Sequence, residues 1–261
     1  MTEATAGTTG RPVWVDLSSA DPAGSRAFYA ALFGWEVEVS PDPRYGGYAM
    51  AKVGGKDVAG IGPAQPGAPT AWALYLGTPD AEGLGRRVAA AGGTVVMPAF
   101  AVGDIGRMAV FQDPTGAFIS AWQPNPMPAN AMPGFGGGGP GTYGWAELNA
   151  RGLDRATPFY EAVFGWTHRT SDIGNGQQYT EFQARGESIA GAMEMNPMVP
   201  GEVPSYWMVY FAVDDVDASF AKALDAGARE MLAPRVFPGG RFAIVGDPQG
   251  AVFGLLKMAA Q

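Results

Sequence analysis

Residues 28–35 read FYAALFGW, and residues 159–166 read FYEAVFGW. The second segment begins 131 positions after the first (159 − 28 = 131), and the same offset carries Trp14 to Trp145. Three further pairs share this offset: Asp16 and Glu147, Tyr48 and Tyr179, and Gly60 and Gly191. Self-similarity at a fixed spacing is typical of a duplicated structural unit. The sequence therefore predicts two tandem copies of one module.

The offset changes further along the chain, because the second copy contains a few extra residues. It is 135 between Trp72 and Trp207, and 134 between two Asp-Pro-x-Gly turns at residues 113–116 and 247–250. Residues 124–142, PNPMPANAMPGFGGGGPGT, are rich in Pro and Gly, which disfavour both helix and sheet. We therefore expect four segments: a disordered N-terminus (1–12), module 1 (13–123), a linker (124–142) and module 2 (143–258).

The first strand and the first helix of the module have clear local signals. Residues 13–18 alternate between apolar and other side chains, a period of two that predicts a strand with two distinct faces. Asp21 can cap a helix that begins at Pro22 and ends at Gly34. In the second copy, Pro158 must either delay the start of the equivalent helix or kink it.

The remaining elements are shorter. A second helix follows Thr78 and ends at Gly92, and its counterpart runs from Asp215 to Gly227. Short strands are predicted in module 1 at residues 48–53, 58–61, 71–76, 107–112 and 117–122. The order in each copy is strand, helix, three strands, and then the same again.

Composition disfavours several classes of protein. The chain has 261 residues, 47% of them hydrophobic, with no cysteine and a net charge of −8. It contains no apolar run of about 18 residues and begins with small polar residues, so we expect a soluble, cytoplasmic protein. Its negative charge repels nucleic acid and anionic membranes. We expect a small-molecule ligand as the partner, and a monomer or a homodimer.

The two FY-x3-FGW segments, the Asp-Pro-x-Gly turns and the order of the elements resemble the vicinal oxygen chelate superfamily. This superfamily includes glyoxalases, bleomycin-resistance proteins and extradiol dioxygenases. More narrowly, the chain is similar to tandem two-module proteins of actinobacteria, some of which accompany antibiotic biosynthesis, including an accessory protein of anthracycline pathways. The resemblance implies an α+β fold of tandem glyoxalase-like modules, built from paired βαβββ units that form concave sheets. We call the concave side of each sheet its cup.

The resemblance also implies where a metal ion would be bound. The ligand positions of metal-dependent members correspond to Trp14, Ala73 and Ser120 in copy one, and to Trp145, Met208 and Gly254 in copy two. None of these side chains is a usual ligand for zinc, iron, cobalt or nickel. The single histidine, His168, is expected to be a surface residue. We therefore expect neither a metal site nor another cofactor.

The alternation along the strands predicts which side chains face the cups. If Trp14 faces the cup, Asp16 lies on the same face. The expected ligand-binding residues of copy one are Trp14, Tyr48, Met50, Tyr75, Ser120 and Trp122. Those of copy two are Trp145, Tyr179, Glu181, Met208, Tyr210 and Leu256. Aromatic and thioether side chains suit planar apolar ligands, although ordinary core packing explains any single aromatic equally well.

Asp16 and Glu147 are the candidate catalytic residues. A carboxylate at an inward strand position is costly unless it is paired or useful, which leaves ligand contact, acid–base chemistry or a structural hydrogen bond. Arg107 and Arg241 follow glycines at equivalent bends, and they could pair with these acids or contact a ligand oxygen.

The missing metal ligands and the aromatic cups favour metal-independent binding of a small aromatic or hydrophobic molecule. Such a molecule could be a drug or a natural-product intermediate, and the role could be sequestration, resistance or biosynthesis. The alternative is a metal-independent isomerase, lyase or hydroxylase helper that uses Asp16 or Glu147 as a general base. A glyoxalase-type lyase is a third possibility, although that chemistry depends on a metal in the superfamily.

Overall fold

The structure is a computed structural model that describes residues 9–125, 135, 138–174 and 176–259. Most of the predicted linker, and residues 1–8 of the predicted disordered terminus, lie outside the described residues. Residues 9–12 are instead part of the fold, because Thr9 forms a bridge with Gly77 and the first strand begins at Pro12.

Within the described residues, each copy contributes eight strands and two helices. The elements of copy one are β1 Pro12–Ser19, α1 Pro22–Phe33, β2 Glu36–Val39, β3 Ala49–Val53, β4 Lys56–Pro63, β5 Ala71–Gly77, α2 Ala81–Ala90, β6 Thr94–Val102, β7 Gly106–Gln112 and β8 Phe118–Pro124. The elements of copy two are β9 Tyr143–Ala150, α3 Leu153–Phe164, β10 Thr167–Gly174, β11 Gln177–Ala184, β12 Glu187–Glu194, β13 Tyr206–Ala212, α4 Val216–Asp225, β14 Arg229–Phe237, β15 Gly240–Gly246 and β16 Val252–Met258. A short 3-10 helix spans Pro43–Tyr45. None of the described helices is long and apolar enough to cross a membrane.

The strands of each copy form one eight-stranded sheet. The strand order is β2-β3-β4-β1-β5-β8-β7-β6 in copy one and β10-β11-β12-β9-β13-β16-β15-β14 in copy two. The second order is the first with every strand number raised by eight. In each half of a copy the first and last strands are parallel neighbours, such as β1 with β4 and β13 with β16. The predicted α+β fold of tandem modules built from paired βαβββ units is confirmed.

The compact units of the structure do not coincide with the sequence copies. The first unit contains residues 9–13, 74–125, 146–174 and 176–207, so it combines the second half of copy one with the first half of copy two. The second unit contains residues 14–73, 135, 138–145 and 208–259, which are the complementary halves. Each unit therefore depends on both copies for its core.

In the second unit, a buried hydrogen-bond network joins the two copies. The hydroxyl of Tyr29, from the FY segment of copy one, donates to Asp247 Oδ2 at 2.9 Å and accepts from Trp72 Nε1 at 2.9 Å. Asp247 Oδ1 accepts from the backbone N–H groups of Gln249 and Ala251. Burial, and then the nearby carboxylate of Asp247, raise the pKa of Tyr29 well above its ordinary value.

The first unit contains the equivalent network. Tyr160 donates to Asp113 Oδ2 at 3.0 Å and accepts from Trp207 Nε1 at 2.7 Å. Trp72 and Trp207 are both buried and belong to the core. The Asp-Pro-x-Gly turns therefore do more than connect strands, because each supplies the buried acceptor for the tyrosine of the other copy.

The helices α1, α2 and α4 begin where their sequences predict. Asp21 accepts from the N–H of Gly24 at 3.0 Å, and Asp80 and Asp215 cap α2 and α4 in the same way. Gly34 ends α1 with a φ of 71°, a conformation that favours glycine. Local capping signals therefore suffice for these three helices.

The helix α3 differs from the prediction. It begins at Leu153 and passes through Pro158, so of the two alternatives that the sequence left open, a delayed start and a kink, the delayed start is wrong. The position equivalent to Asp21 is Gly152, which has no capping side chain, and Glu194 of β12 replaces it. The Glu194 carboxylate accepts from the N–H groups of Gly152 and Leu153, both at 2.8 Å. A residue 41 positions away from Leu153 thus caps this helix.

The strands that sequence patterns missed lie at the ends of the two sheets. These strands are β2, β6, β10 and β14. Every described residue of β10 is exposed, and most residues of the other three are exposed or half-buried. β6, β10 and β14 show no regular alternation, whereas β2, with the sequence EVEV, alternates but is only four residues long.

Candidate functional site

A compact polar cluster forms around Asp16 in the second unit. Asp16 Oδ1 accepts from Trp14 Nε1 and from the hydroxyl of Tyr48, each at 2.6 Å. The indole N–H also lies 3.1 Å from the Tyr48 oxygen. Trp14 and Asp16 are two residues apart on β1, as the predicted alternation requires, and Tyr48 immediately precedes β3. We call these three residues the Asp16 cluster.

Gly60 on β4 makes the Asp16 cluster possible. It lies opposite Asp16 in the parallel register of β1 and β4 and opposite Met50 in the antiparallel register of β3 and β4. A Cβ atom at Gly60 would overlap both the hydroxyl of Tyr48 and the carboxylate of Asp16. The structure therefore brings four of the predicted residues of copy one together around Gly60: Trp14, Asp16, Tyr48 and Met50.

The ring of Trp14 has a neighbour that sequence reasoning missed. The Phe135 ring lies 6.2 Å from the Trp14 ring and 4.9 Å from the Tyr143 ring, measured between centroids. Within the described part of the chain, the buried Tyr143 hydroxyl has no hydrogen-bond partner, and burial raises its pKa. Phe135 belongs to the segment predicted to be a linker, whose Gly and Pro content gave no indication of this contact.

Glu147 occupies the position of Asp16 in the first unit. It lies opposite Gly191 in the register of β9 and β12, and its Oε1 accepts from Asn149 Nδ2 at 3.3 Å. The Tyr206 hydroxyl is close enough that the Glu147 charge, after burial, raises the pKa of Tyr206. Glu181 lies opposite Gly191 from the other side, on β11.

The Glu181 carboxylate has polar partners on the strands at either side of it. It lies 3.3 Å from the guanidinium of Arg169 and accepts from the Ser188 hydroxyl at 2.9 Å. These contacts give Glu181 a structural partner on each neighbouring strand. Tyr179 lies two residues before Glu181 on the same strand, with its side chain half-buried.

The other predicted residues of copy one lie in the first unit. Tyr75 is opposite Ser120 in the parallel register of β5 and β8, and both are buried. Trp122 lies two residues further along β8 and is half-buried. Its ring approaches Gly106 so closely that a Cβ atom there would clash with it. Tyr75, Ser120 and Trp122 thus share one face, as predicted.

The other predicted residues of copy two lie in the second unit. Tyr210 is opposite Gly254 in the register of β13 and β16, and its ring covers the space that a Cβ atom of Gly254 would need. Leu256 and Met208 are buried on the same two strands, whereas Trp145 on β9 is half-buried. The Tyr210 ring also lies 6.3 Å from the Phe242 ring.

Both arginines contact groups other than the candidate catalytic acids. Arg241 forms a two-point ion pair with Asp217, at 2.6 and 2.7 Å, and Arg107 donates to the backbone oxygen of Ala99 at 3.2 Å. The expected ion pair of Arg241 exists, but its partner is a surface acid of α4.

His168 lies at the surface, as expected. Its Nδ1 is 2.7 Å from Glu161 Oε1, and both side chains are partly exposed. The pair borders a cleft of about 650 Å³ beside α3. The lining of this cleft is mixed, with Leu153, Met193 and Met195 beside Asp154, Glu161 and His168. It lacks the aromatic rings of the Asp16 cluster, which we regard as the better candidate site.

The residues at the metal-ligand positions do not fit a metal ion. Trp14 has an N–H donor that is engaged with Asp16, and Ala73 has no polar side-chain atom. In copy two, Met208 and Gly254 offer only a thioether and a hydrogen atom. Among the described residues, no group of three or more His, Cys, Asp or Glu side chains is arranged to hold a metal.

With this geometry established, comparison with known proteins identifies the class. Residues 142–255 match the Glyoxalase/Bleomycin resistance protein/Dioxygenase superfamily, and residues 13–120 match the Glyoxalase-like domain. The chain belongs to the glyoxalase/bleomycin resistance protein/dioxygenase superfamily, and it carries two modules of that superfamily in tandem.

Two relatives cover almost the whole chain. The chain is 43% identical over 258 residues to "Putative glyoxylase CFP32" of Mycobacterium tuberculosis, covering 97% of this chain and 96% of that protein. It is 36% identical to "Anthracycline biosynthesis protein DnrV" of Streptomyces peucetius, covering 95% of this chain and 94% of that protein. The tandem arrangement is therefore shared with both relatives over their length.

Solved structures share the fold at low sequence identity. The Mn(II)-bound glyoxalase from Novosphingobium aromaticivorans is 19% identical with a TM-score of 0.62, covering 95% of this chain and 82% of that chain. The 2,3-dioxygenase LapB from Pseudomonas sp. KL28 is 15% identical with a TM-score of 0.61, covering 95% and 92%. These similarities concern the fold alone.

Proposed function

We propose that the protein binds a planar aromatic small molecule without a metal ion, and that the Asp16 cluster is part of its binding site. The observation that carries this proposal is the pair of 2.6 Å hydrogen bonds that hold Trp14 and Tyr48 on a single carboxylate oxygen. Rings held in this way lose little conformational entropy on binding, which favours affinity.

The charge of Asp16 favours a ligand that carries a cationic or hydrogen-bond-donating group. A carboxylate at a partly buried position attracts a cationic or hydrogen-bond-donating group, and an indole face attracts a cation as well. Each stacking or cation–π contact contributes about 0.5–2 kcal/mol. Several such contacts together suffice for micromolar affinity without any chemical step.

The relatives are compatible with this proposal. The name of the Streptomyces peucetius relative places it in anthracycline biosynthesis, and anthracyclines contain fused planar rings. A role as a binding accessory in the biosynthesis of such compounds, or in resistance to them, agrees with the aromatic character of the Asp16 cluster.

The test is to titrate the protein with planar aromatic cations, such as proflavine, and with neutral aromatics of similar size. Binding is followed by tryptophan fluorescence and by calorimetry. We expect quenching with micromolar affinity, and a loss of at least tenfold in affinity on Trp14→Ala. Trp145→Ala is the matched control in copy two. If no compound in the panel binds to the native protein, the proposed function is wrong.

A second candidate is an enzyme that uses Glu147 or Asp16 as a general base. The observation that favours Glu147 is its position near the phenol of Tyr206, where a proton-transfer partner is available. Asp16 is less suited, because one of its two carboxylate oxygens, Oδ1, already accepts two hydrogen bonds. The name of the mycobacterial relative, "Putative glyoxylase CFP32", suggests that glyoxalase-type substrates be tested. Loss of turnover on Glu147→Gln, with binding retained, would support this candidate.

A further inference from the structure

We infer that only one of the two copies binds the ligand. The sheet face that carries Asp16 in copy one accepts the ligand, whereas the equivalent face, which carries Glu147 in copy two, is filled by its own side chains. This inference rests on the proposed function, and it predicts one ligand per chain. It concerns the strand positions next to Asp16 in copy one and next to Glu147 in copy two.

Three pairs of equivalent positions carry the difference. The offset of 131 carries Ser18 to Asn149 and Gly62 to Met193, and the offset of 135 carries Ala71 to Tyr206. Ser18 and Gly62 lie opposite each other in the register of β1 and β4, and Asn149 and Met193 lie opposite each other in the register of β9 and β12. The backbone positions thus correspond, and the side chains of copy two are larger in every pair.

The beginning of the fifth strand is anchored in the same way in both copies. In copy one the N–H of Ala20 donates to Thr70 Oγ1 at 3.0 Å, and in copy two the N–H of Arg151 donates to Ser205 Oγ at 2.9 Å. These bonds fix the residues that immediately follow, Ala71 and Tyr206, at equivalent places beside the first strand. The comparison of these two residues is therefore a comparison of like positions.

The face of copy one is open at two of these positions, Ser18 and Ala71, whereas Gly62 is buried. Ser18 and Ala71 have small side chains and are still exposed, which means that no neighbouring side chain covers them. A Cβ atom at Gly62 would meet only the ring of Tyr48, at 3.1 Å. Space next to the Asp16 cluster is therefore accessible from solvent.

The face of copy two is covered at the same positions. Asn149, Met193 and Tyr206 are all half-buried rather than exposed. The Asn149 amide donates to Glu147, and the Tyr206 phenol is desolvated close to Glu147. Asn149 and Tyr206 therefore occupy space beside the Glu147 carboxylate, whereas the equivalent positions of copy one carry only the small side chains of Ser18 and Ala71.

The experiment is a calorimetric titration of the full-length protein with proflavine. We expect a stoichiometry of one per chain, a reduction of affinity by at least tenfold in Ala71→Tyr, and a second binding event in the double variant Met193→Gly, Tyr206→Ala. Ala71→Tyr is the matched change in copy one, and it lies at an exposed position that tolerates a larger side chain. Thermal unfolding of each variant verifies that it is folded.

Two outcomes would overturn the inference while leaving the proposed function intact. One is binding of two equivalents by the native protein. The other is a single equivalent whose affinity is unchanged by Ala71→Tyr. By contrast, absence of binding to every member of the aromatic panel would overturn the proposed function and this inference together.

Discussion

Asp16 organises its surroundings through one oxygen atom. The two donors on Asp16 Oδ1, from Trp14 and Tyr48, satisfy a carboxylate that would otherwise be costly to place on a half-buried strand. The same bonds orient two aromatic rings. The structural hydrogen bond and the ligand-binding role considered for Asp16 from the sequence are therefore compatible with each other.

Replacement of Asp16 by Asn separates the charge of this residue from its hydrogen bonds. An amide oxygen still accepts from Trp14 and Tyr48, so the fold should be retained. We expect the affinity for a planar aromatic cation to fall about tenfold, equivalent to about 1.4 kcal/mol. The affinity for a neutral aromatic of the same size should change less than twofold. Equal losses for both ligands would contradict the role assigned to the charge.

Gly60→Ala tests the packing beneath the Asp16 cluster. The added methyl group overlaps the Tyr48 hydroxyl and the Asp16 carboxylate, so one of them must move. We expect a loss of about 1–3 kcal/mol in the free energy of unfolding, together with weaker ligand binding. Gly201→Ala is the control, because its Cβ atom would meet nothing within 4 Å. Equal stability of the two variants in denaturant unfolding would argue against this packing.

At the scale of elements, equivalent helices in the two copies are capped by different means. The helix α1 uses Asp21, three residues before the N–H that it accepts from, whereas α3 uses Glu194 from a neighbouring strand. The helix α3 continues through Pro158, and the hydroxyl of the neighbouring Thr157 donates a hydrogen bond to the Leu153 carbonyl at 3.0 Å. A distant carboxylate thus replaces the local cap that copy two lacks.

Glu194→Ala should therefore destabilise the protein as a cap substitution does. Because Glu194 accepts from two helix N–H groups, we expect a loss of about 1–2 kcal/mol in the free energy of unfolding, at least as large as for Asp21→Ala. Urea unfolding followed by circular dichroism measures both. A change below about 0.5 kcal/mol for Glu194→Ala, the usual range for surface substitutions, would refute the capping role.

At the scale of the whole molecule, the two copies complete each other's cores. Each FY tyrosine donates to the Asp-Pro-x-Gly aspartate of the other copy, and a tryptophan donates to each tyrosine. These bonds are buried, so each is costly to break. The duplication is therefore a requirement of the fold as well as a feature of the sequence.

Tyr29→Phe removes one hydroxyl and leaves Asp247 Oδ2 and Trp72 Nε1 without this partner. We expect a loss of about 1–3 kcal/mol in the free energy of unfolding, and a similar loss for Tyr160→Phe. Tyr45→Phe, outside both networks, should change stability by less than about 0.5 kcal/mol. If all three variants unfold at the same denaturant concentration as the native protein, the networks are not stabilising.

The pH dependence of stability should report on Asp247. Burial is the main cause that raises its pKa in the folded protein. A carboxyl with a raised pKa stabilises the fold fully below its unfolded pKa, and this contribution is lost as the pH rises through the folded pKa. Relative to Asp247→Asn, the native protein should therefore lose stability as the pH rises above about 4, the ordinary pKa of an aspartate. A constant difference between the two across that range would contradict this assignment.

The sequence by itself determined the duplication, the superfamily, most inner strands, three of the four helices and the pairing of Trp14 with Asp16 on one face. Each of these depends on local or periodic signals, namely a fixed offset, alternation and capping residues. Only the tertiary structure decided that Glu194 caps α3, that Phe135 lies beside Trp14, and that the tyrosine of each copy bonds to the aspartate of the other. These contacts join residues far apart in the chain, and no local pattern encodes which distant side chain completes a buried hydrogen bond.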